Sequence, residues 1–232
     1  IAIVASARMT NEELFMVRRL AKHLGAGYLD VVPRMGESDG YLISADRNPN
    51  TTGAKLILGL NDPGSRLEDI KNAITKDEVK ALIVLQENLI DDADFSAEDF
   101  SSLEFLMTTY PMANPTAEVA DVVLPGACWA EKSGTMINVT GRLQRLNQAV
   151  DPPGQTMQPW EIIRDLIQNT GGGNGIYSTQ DLFNLLTSEV SDFVGVTWDQ
   201  IGDLGMQLID TGETIPLLEK ERQKIAKGII VG

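Results

Sequence analysis

The sequence predicts a doubly wound α/β fold: a mainly parallel, five-stranded sheet followed by a helical C-terminal extension. Three observations carry this. Short apolar runs bounded by Gly or Pro alternate with amphipathic helical segments five times before residue 126. Several of these runs are apolar throughout, as in strands covered on both faces. After Val150 only helical spacing recurs.

Ile1–Ala5 is the first apolar run. Thr10 and Glu13 then have capping-box spacing, the Thr hydroxyl taking the N3 amide while the Glu reaches back to the cap. Leu14, Val17, Leu20, Ala21 and Leu24 follow at helical spacing, and Gly25 closes the helix. Tyr28–Val32 is the second strand, stopped by Pro33, so the unit is β-α-β with a right-handed crossover. Residues 33–66 read as loops with one short helix at Ala54–Leu58. A helix at Leu67–Ile74 and a strand at Ala81–Leu85 come next. Asp91, Asp92 and Asp94 lead into a short helix at Ser96–Ser102, and Leu103–Met107 is the fourth strand. Asn114 caps a helix with Pro115 at its first position. Val122–Leu124, stopped by Pro125-Gly126, is a fully apolar run and reads as a central strand.

The expected division is a Rossmann-like domain over 1–150 and a mostly helical extension over 151–232. Asp151-Pro152-Pro153-Gly154 is the linker. Helices follow at Pro159–Asn169, at Ser178–Val190 and after Thr197, whose spacing to Gln200 is again that of a capping box. The run from Gly171 to Gly175 reads as a hinge, and Glu219–Lys227 as a charged, solvated helix. The order of the strands is not readable from the sequence.

The 232 residues carry 33 acidic and 19 basic side chains, a formal charge of −14. Such a surface repels phosphate backbones, which argues against nucleic acid as a partner. No apolar run approaches the ~18 residues of a membrane span, so no direct membrane insertion is expected. A single cysteine, Cys128, excludes an internal disulfide and any Cys-ligated iron–sulfur cluster or Cys-rich zinc site built by this chain alone. Ile1 already lies in a strand-like run, so the expectation is a piece of a longer polypeptide.

Several apparent motifs dissolve on inspection. Gly36–Gly40 matches G-x-S-x-G, but the one histidine, His23, precedes Ser38, and no helix follows at once. Gly25-Ala26-Gly27 lacks its third glycine and sits between a helix and the next strand. The three aspartates lack calcium-loop spacing. His23 reads as a helix-end residue, and Cys128 as a small packed side chain beside Trp129.

The loop beyond the fifth strand is different. From Gly126 to Arg145 it holds a carboxylate at Glu131, two Gly turns, the Asn138 amide and the Arg142 guanidinium. An open α/β sheet binds ligands beyond its strand carboxyl ends. Such groups suit a pyrophosphate or an amide-rich heterocycle. They equally suit bracing of the loop against the sheet, and on residue chemistry alone both readings stand.

These residues also carry a resemblance. Ala120–Pro125 (ADVVLP), Glu131–Thr135 (EKSGT) and Asn138–Gln144 (NVTGRLQ) are similar to the late signature of the molybdopterin oxidoreductase superfamily. Thr10–Glu13 (TNEE) and the AVDPPGQ…PWEI segment over 149–162 match as well, so the resemblance covers about residues 1–168. Ala45–Ala54 (ADRNPNTTGA) resembles the C-terminal region of the G-type subunit family of NADH-quinone oxidoreductase, respiratory complex I. That resemblance implies a scaffold domain of an electron-transfer subunit, without its own redox centre or cofactor. It implies iron–sulfur clusters in an N-terminal part outside this chain. The implied partners are that N-terminal remainder and other hydrophilic-arm subunits, at the cytoplasmic side of the inner membrane. The alternative is a formate-dehydrogenase-like domain that binds molybdopterin guanine dinucleotide. In either case the resemblance places Asn138, Gly141 and Arg142 at the cofactor, as vestiges if the cofactor has been lost.

Overall fold

The computed structural model describes residues 1–173, 175–176 and 178–226. Its frame is β1 (Ala2–Ser6), α1 (Asn11–Leu24), β2 (Tyr28–Val32), α2 (Thr51–Leu58), α3 (Leu67–Thr75), β3 (Ala81–Leu85), α4 (Leu89–Asp92), β4 (Phe105–Tyr110), α5 (Pro115–Glu118) and β5 (Val122–Pro125). All strand pairs of this sheet are parallel, in the order β2-β1-β3-β4-β5. Helix α1 packs on one face with α2, and the buried side chains of α3 (Leu67, Ile70, Ala73 and Ile74) form the core of the other. This is the doubly wound α/β arrangement. Its strand order reverses between β1 and β3, which opens a crevice there beyond the strand carboxyl ends.

The local signals work as chemistry. Thr10 and Glu13 close a reciprocal capping box, and Gly25 ends α1 at φ +62°. Asn114 accepts the Ala117 amide to start α5. Other expectations shift. The fifth strand is an edge, not a central strand: among the described residues β5 pairs only with β4, and Val122 and Val123 are 36% and 47% exposed. A short apolar run reads alike in both positions, because composition does not report the number of neighbours. The fourth strand runs from Phe105 to Tyr110, beyond its expected end, because it is the ladder partner of β5 as well as β3. Asp91 and Asp92 lie inside α4, and the segment read as a helix at 96–102 is a 3₁₀ turn over Ala97–Phe100.

The polar loop after β5 carries regular structure. Strands β6 (Gly134–Ile137) and β7 (Arg142–Leu146) form an antiparallel hairpin. Beyond it come α6 (Pro159–Asn169), α7 (Thr179–Glu189), α8 (Trp198–Ile201), β8 (Met206–Gln207) and α9 (Pro216–Ala226). Strand β8 adds to β7 as the third strand of the small sheet. Ile163 of α6 and Leu182, Phe183 and Leu186 of α7 are fully buried in the core that contains Phe15 and Leu20 of α1. The glycine run read as a hinge includes Asn174, and the charged tail includes Lys227; both of these residues lie outside the described ones.

Candidate functional site

The first constellation lies where α1 begins. Asn11, Glu12 and Glu13 open an amphipathic helix, yet all three are fully buried. They are covered by β6. Thr135 gives its amide to Glu12 Oε2 at 2.8 Å and its hydroxyl to Glu12 Oε1 at 2.9 Å. The same hydroxyl accepts from Asn11 Nδ2 at 3.0 Å. Lys132 is buried against Glu13, Nζ to Oε2 at 2.7 Å, and that oxygen also takes the Thr10 amide. Asn50, just before α2, donates to Met9 O and Asn11 Oδ1 and accepts the Ile137 amide at 2.7 Å. The glycines fit the same closure. A Cβ on Gly134 would lie 2.6 Å from Glu12 Oε2, and one on Gly53 2.2 Å from Asn11 Oδ1. Burial pushes the Glu12 carboxyl up to about 7, against the pull of its Thr135 donors. The TNEE, NTTGA and EKSGT segments thus converge on one interior network joining α1, α2 and β6.

The second constellation lies at the carboxyl ends of the parallel strands. Arg34, after β2, makes a two-pronged pair with Glu87 (2.9 and 2.5 Å) and reaches Asp92 at 2.7 Å. Arg8, after β1, sits more loosely, 3.5 Å from Glu87 and 3.7 Å from Asp92. Beside it a cavity of about 350 Å³ is walled by Tyr110, Pro111, Cys128 and Trp129. Ligand pockets typically run ~300–1,000 Å³, so this one is small.

Gln86 also lines the cavity, as the first residue after β3. Its φ is +59°, in the left-handed region, which costs a non-glycine residue about 1–2 kcal/mol. Its side chain is buried (8% exposed), and Nε2 finds no partner among the described residues. An orphaned buried amide costs ~1–3 kcal/mol. A Cβ on Gly126 would come within 2.0 Å of that nitrogen, so the glycine that ends β5 makes room for Gln86.

A pyrophosphate-bridged dinucleotide fits these residues poorly. Dinucleotide folds seat the pyrophosphate on free amides where the first helix starts. Here Thr10 takes the Glu13 amide, β6 seals the turn, and Glu12 and Glu13 stand where phosphate would approach. Arg34 is committed to two carboxylates.

Asn138, Gly141 and Arg142 lie together at the turn of the β6–β7 hairpin, and none lines the carboxyl-edge cavity. Asn138 Oδ1 accepts from the Thr140 amide and hydroxyl and the Arg142 amide. Gly141, at φ +81°, has Ile209 O where a Cβ would go, 2.2 Å away. Arg142 donates to Leu204 O and Gly205 O at 2.8 and 2.7 Å. The hollow beside them has acidic walls at Asp210, Glu213 and Glu219. These three residues therefore hold the turn and the strap that carries β8.

The remaining candidates are placed as follows. Ser38 is exposed and donates to Ile43 O. Asp39 accepts the amides of Tyr41, Ile43 and Leu42, which hold its carboxyl below the usual range. His23 meets Thr170 Oγ1 at 2.9 Å at an exposed site. Glu131 caps the Cys128 amide at 2.9 Å. Asn50, Lys132, Arg34 and Gln86 were not singled out from the sequence. Lys132 and Asn50 had a visible signal, because they lie inside EKSGT and ADRNPNTTGA; Arg34 and Gln86 had none.

Fold and site together define a doubly wound α/β module whose polar signature is turned inward. The comparison with family models specifies the class. The chain belongs to the molybdopterin oxidoreductase family, whose model matches residues 16–169. It is 35% identical over 154 residues to F420-dependent formate dehydrogenase 2 subunit alpha of Methanococcus maripaludis, covering 63% of this chain and 23% of that protein. To F420-dependent formate dehydrogenase subunit alpha of Methanocaldococcus jannaschii it is 34% identical over 173 residues, 70% of this chain and 24% of that one. It is also 34% identical over 95 residues to the mitochondrial NADH-ubiquinone oxidoreductase 78 kDa subunit of Candida albicans, 41% of this chain and 13% of that subunit. The chain thus spans about a quarter or less of these relatives. Among the described residues, no helix is long and apolar enough to cross a membrane.

Proposed function

We propose that this chain is a scaffold module of a G-type subunit of NADH-quinone oxidoreductase, with no redox centre of its own. The observation that carries the reading is the inward network: Asn11, Glu12, Glu13, Lys132 and Thr135 bond one another, not an open crevice. Asn138, Gly141 and Arg142 read as vestiges of a cofactor loop, now braced by Leu204–Ile209. The partners are an N-terminal part of the same subunit, which carries the iron–sulfur clusters, and other hydrophilic-arm subunits. The place is the cytoplasmic side of the inner membrane. The test is metal and pterin content after expression in a host that makes the molybdenum cofactor. The reading expects neither molybdenum, tungsten nor iron, and no extractable pterin; stoichiometric metal with pterin refutes it.

One observation favours a second reading, a cofactor-binding domain of a formate-dehydrogenase-like enzyme. The formate dehydrogenase relatives match 56–70% of the chain, the 78 kDa subunit 41%. On this reading molybdopterin guanine dinucleotide is the ligand, and the same metal and pterin analysis separates the two.

A further inference from the structure

We propose that Gln86 is a built-in plug, the residue that closes the crevice at the strand-order reversal to a nucleoside diphosphate. The inference rests on the scaffold reading and names the side chain that enforces it at the ligand edge.

Position is the first argument. Residue 86 directly follows β3 and shares a cavity with Arg8, which follows β1, so it stands at the switch between the two halves of the sheet. Backbone is the second. At φ +59° glycine is the residue that fits without strain, yet a long side chain stands there. The third is chemistry. The amide nitrogen is buried and unpartnered among the described residues, and it fills the space a side chain at position 126 would otherwise take, 2.0 Å from where a Cβ on Gly126 would lie. The bonds that hold residue 86 run from its backbone amide to Thr109, 2.8 Å to the carbonyl oxygen and 3.2 Å to Oγ1, and need no side chain. Two unfavourable features therefore meet in one side chain, and both would vanish with glycine. Strain of this kind marks a functional constraint. What the side chain does is occupy space.

The surroundings indicate what it keeps out. Trp129 and Pro111 offer flat apolar walls for a base, and Tyr110 a hydroxyl. Arg8, the looser arginine of the ion cluster, is 40% exposed, and its contacts to Glu87, Asp92 and the Tyr110 hydroxyl are all long, 3.4–3.7 Å, so it is the cation that could be turned toward a phosphate.

The test uses the whole chain with Gln86→Gly and Gln86→Leu, the second keeping the bulk without the amide. Guanosine 5′-diphosphate is titrated by calorimetry. Alkylation of Cys128, which lines the same cavity, reports access. Expected for Gln86→Gly is saturable binding with an affinity at least about tenfold above the detection limit at which the wild-type chain gives only heats of dilution, a severalfold faster alkylation, and a melting temperature no lower than wild type. Gln86→Leu is expected to match wild type in both readouts. The plug is overturned if Gln86→Gly leaves either the affinity or the alkylation rate unchanged, or if Gln86→Leu gains as much as Gln86→Gly. Tight binding by the wild-type chain would overturn the plug and the scaffold reading together, whereas failure of Gln86→Gly alone removes only the plug.

Discussion

Replacing Glu12 by Gln should remove a pH dependence of stability that the wild-type chain carries. Glu12 is fully buried, and its two oxygens take the amide and hydroxyl of Thr135. Burial raises its carboxyl from 4.5 to about 7. Between those values the folded chain holds a proton that the unfolded chain has released. Stability is therefore greatest below the unfolded value, falls as pH rises through the window, and levels off above about 7. At about 1.4 kcal/mol per unit the fall is on the order of 3 kcal/mol. With a urea slope of ~2–3 kcal/mol per molar, the midpoint should drop by about 1 M. Urea titrations of wild type and Glu12→Gln at pH 5.0 and 7.5 measure this, because other groups contribute alike to both chains. The variant should show a midpoint change smaller by about 1 M. Parallel pH profiles would refute the buried, ionisable brace.

Three further outcomes follow from the same contacts. Lys132→Met leaves Glu13 as an unpaired buried carboxylate and should cost about 3–5 kcal/mol by denaturant titration, with part recovered in Lys132→Met/Glu13→Gln. Gly134→Ala places a methyl group 2.6 Å from Glu12 Oε2 and should cost ~1–3 kcal/mol in the same assay. Arg142→Ala removes two bonds to the strap, so residues 204–209 should become faster in amide exchange and in proteolysis, at about 1–3 kcal/mol locally.

The legible and illegible parts of the sequence divide on physical lines. Local chemistry reads well: the Thr10–Glu13 box, the Gly25 stop and the Asn114 cap depend on residues a few positions apart. Neighbour relations do not. Val122–Leu124 has the composition of a central strand, but its place at the edge is set by where β4 runs. The β6–β7 hairpin hid behind polar residues, since Thr135, Arg142 and Gln144 serve contacts with α1, the strap and the turn. Glu12 shows the limit best. A charged residue in the first turn of a helix reads as solvated, and only the arrival of Thr135 from 123 positions away makes it interior. Gln86 gave no signal, because a left-handed φ is invisible in a residue type that rarely adopts one.

The central claim is that the family's polar signature now holds this fold together and no longer binds a dinucleotide. Calorimetric titration of guanosine 5′-diphosphate into the wild-type chain tests it most directly. The account predicts heats no larger than dilution, unchanged by Arg142→Ala. Saturable binding in the micromolar range that Arg142→Ala weakens would contradict it.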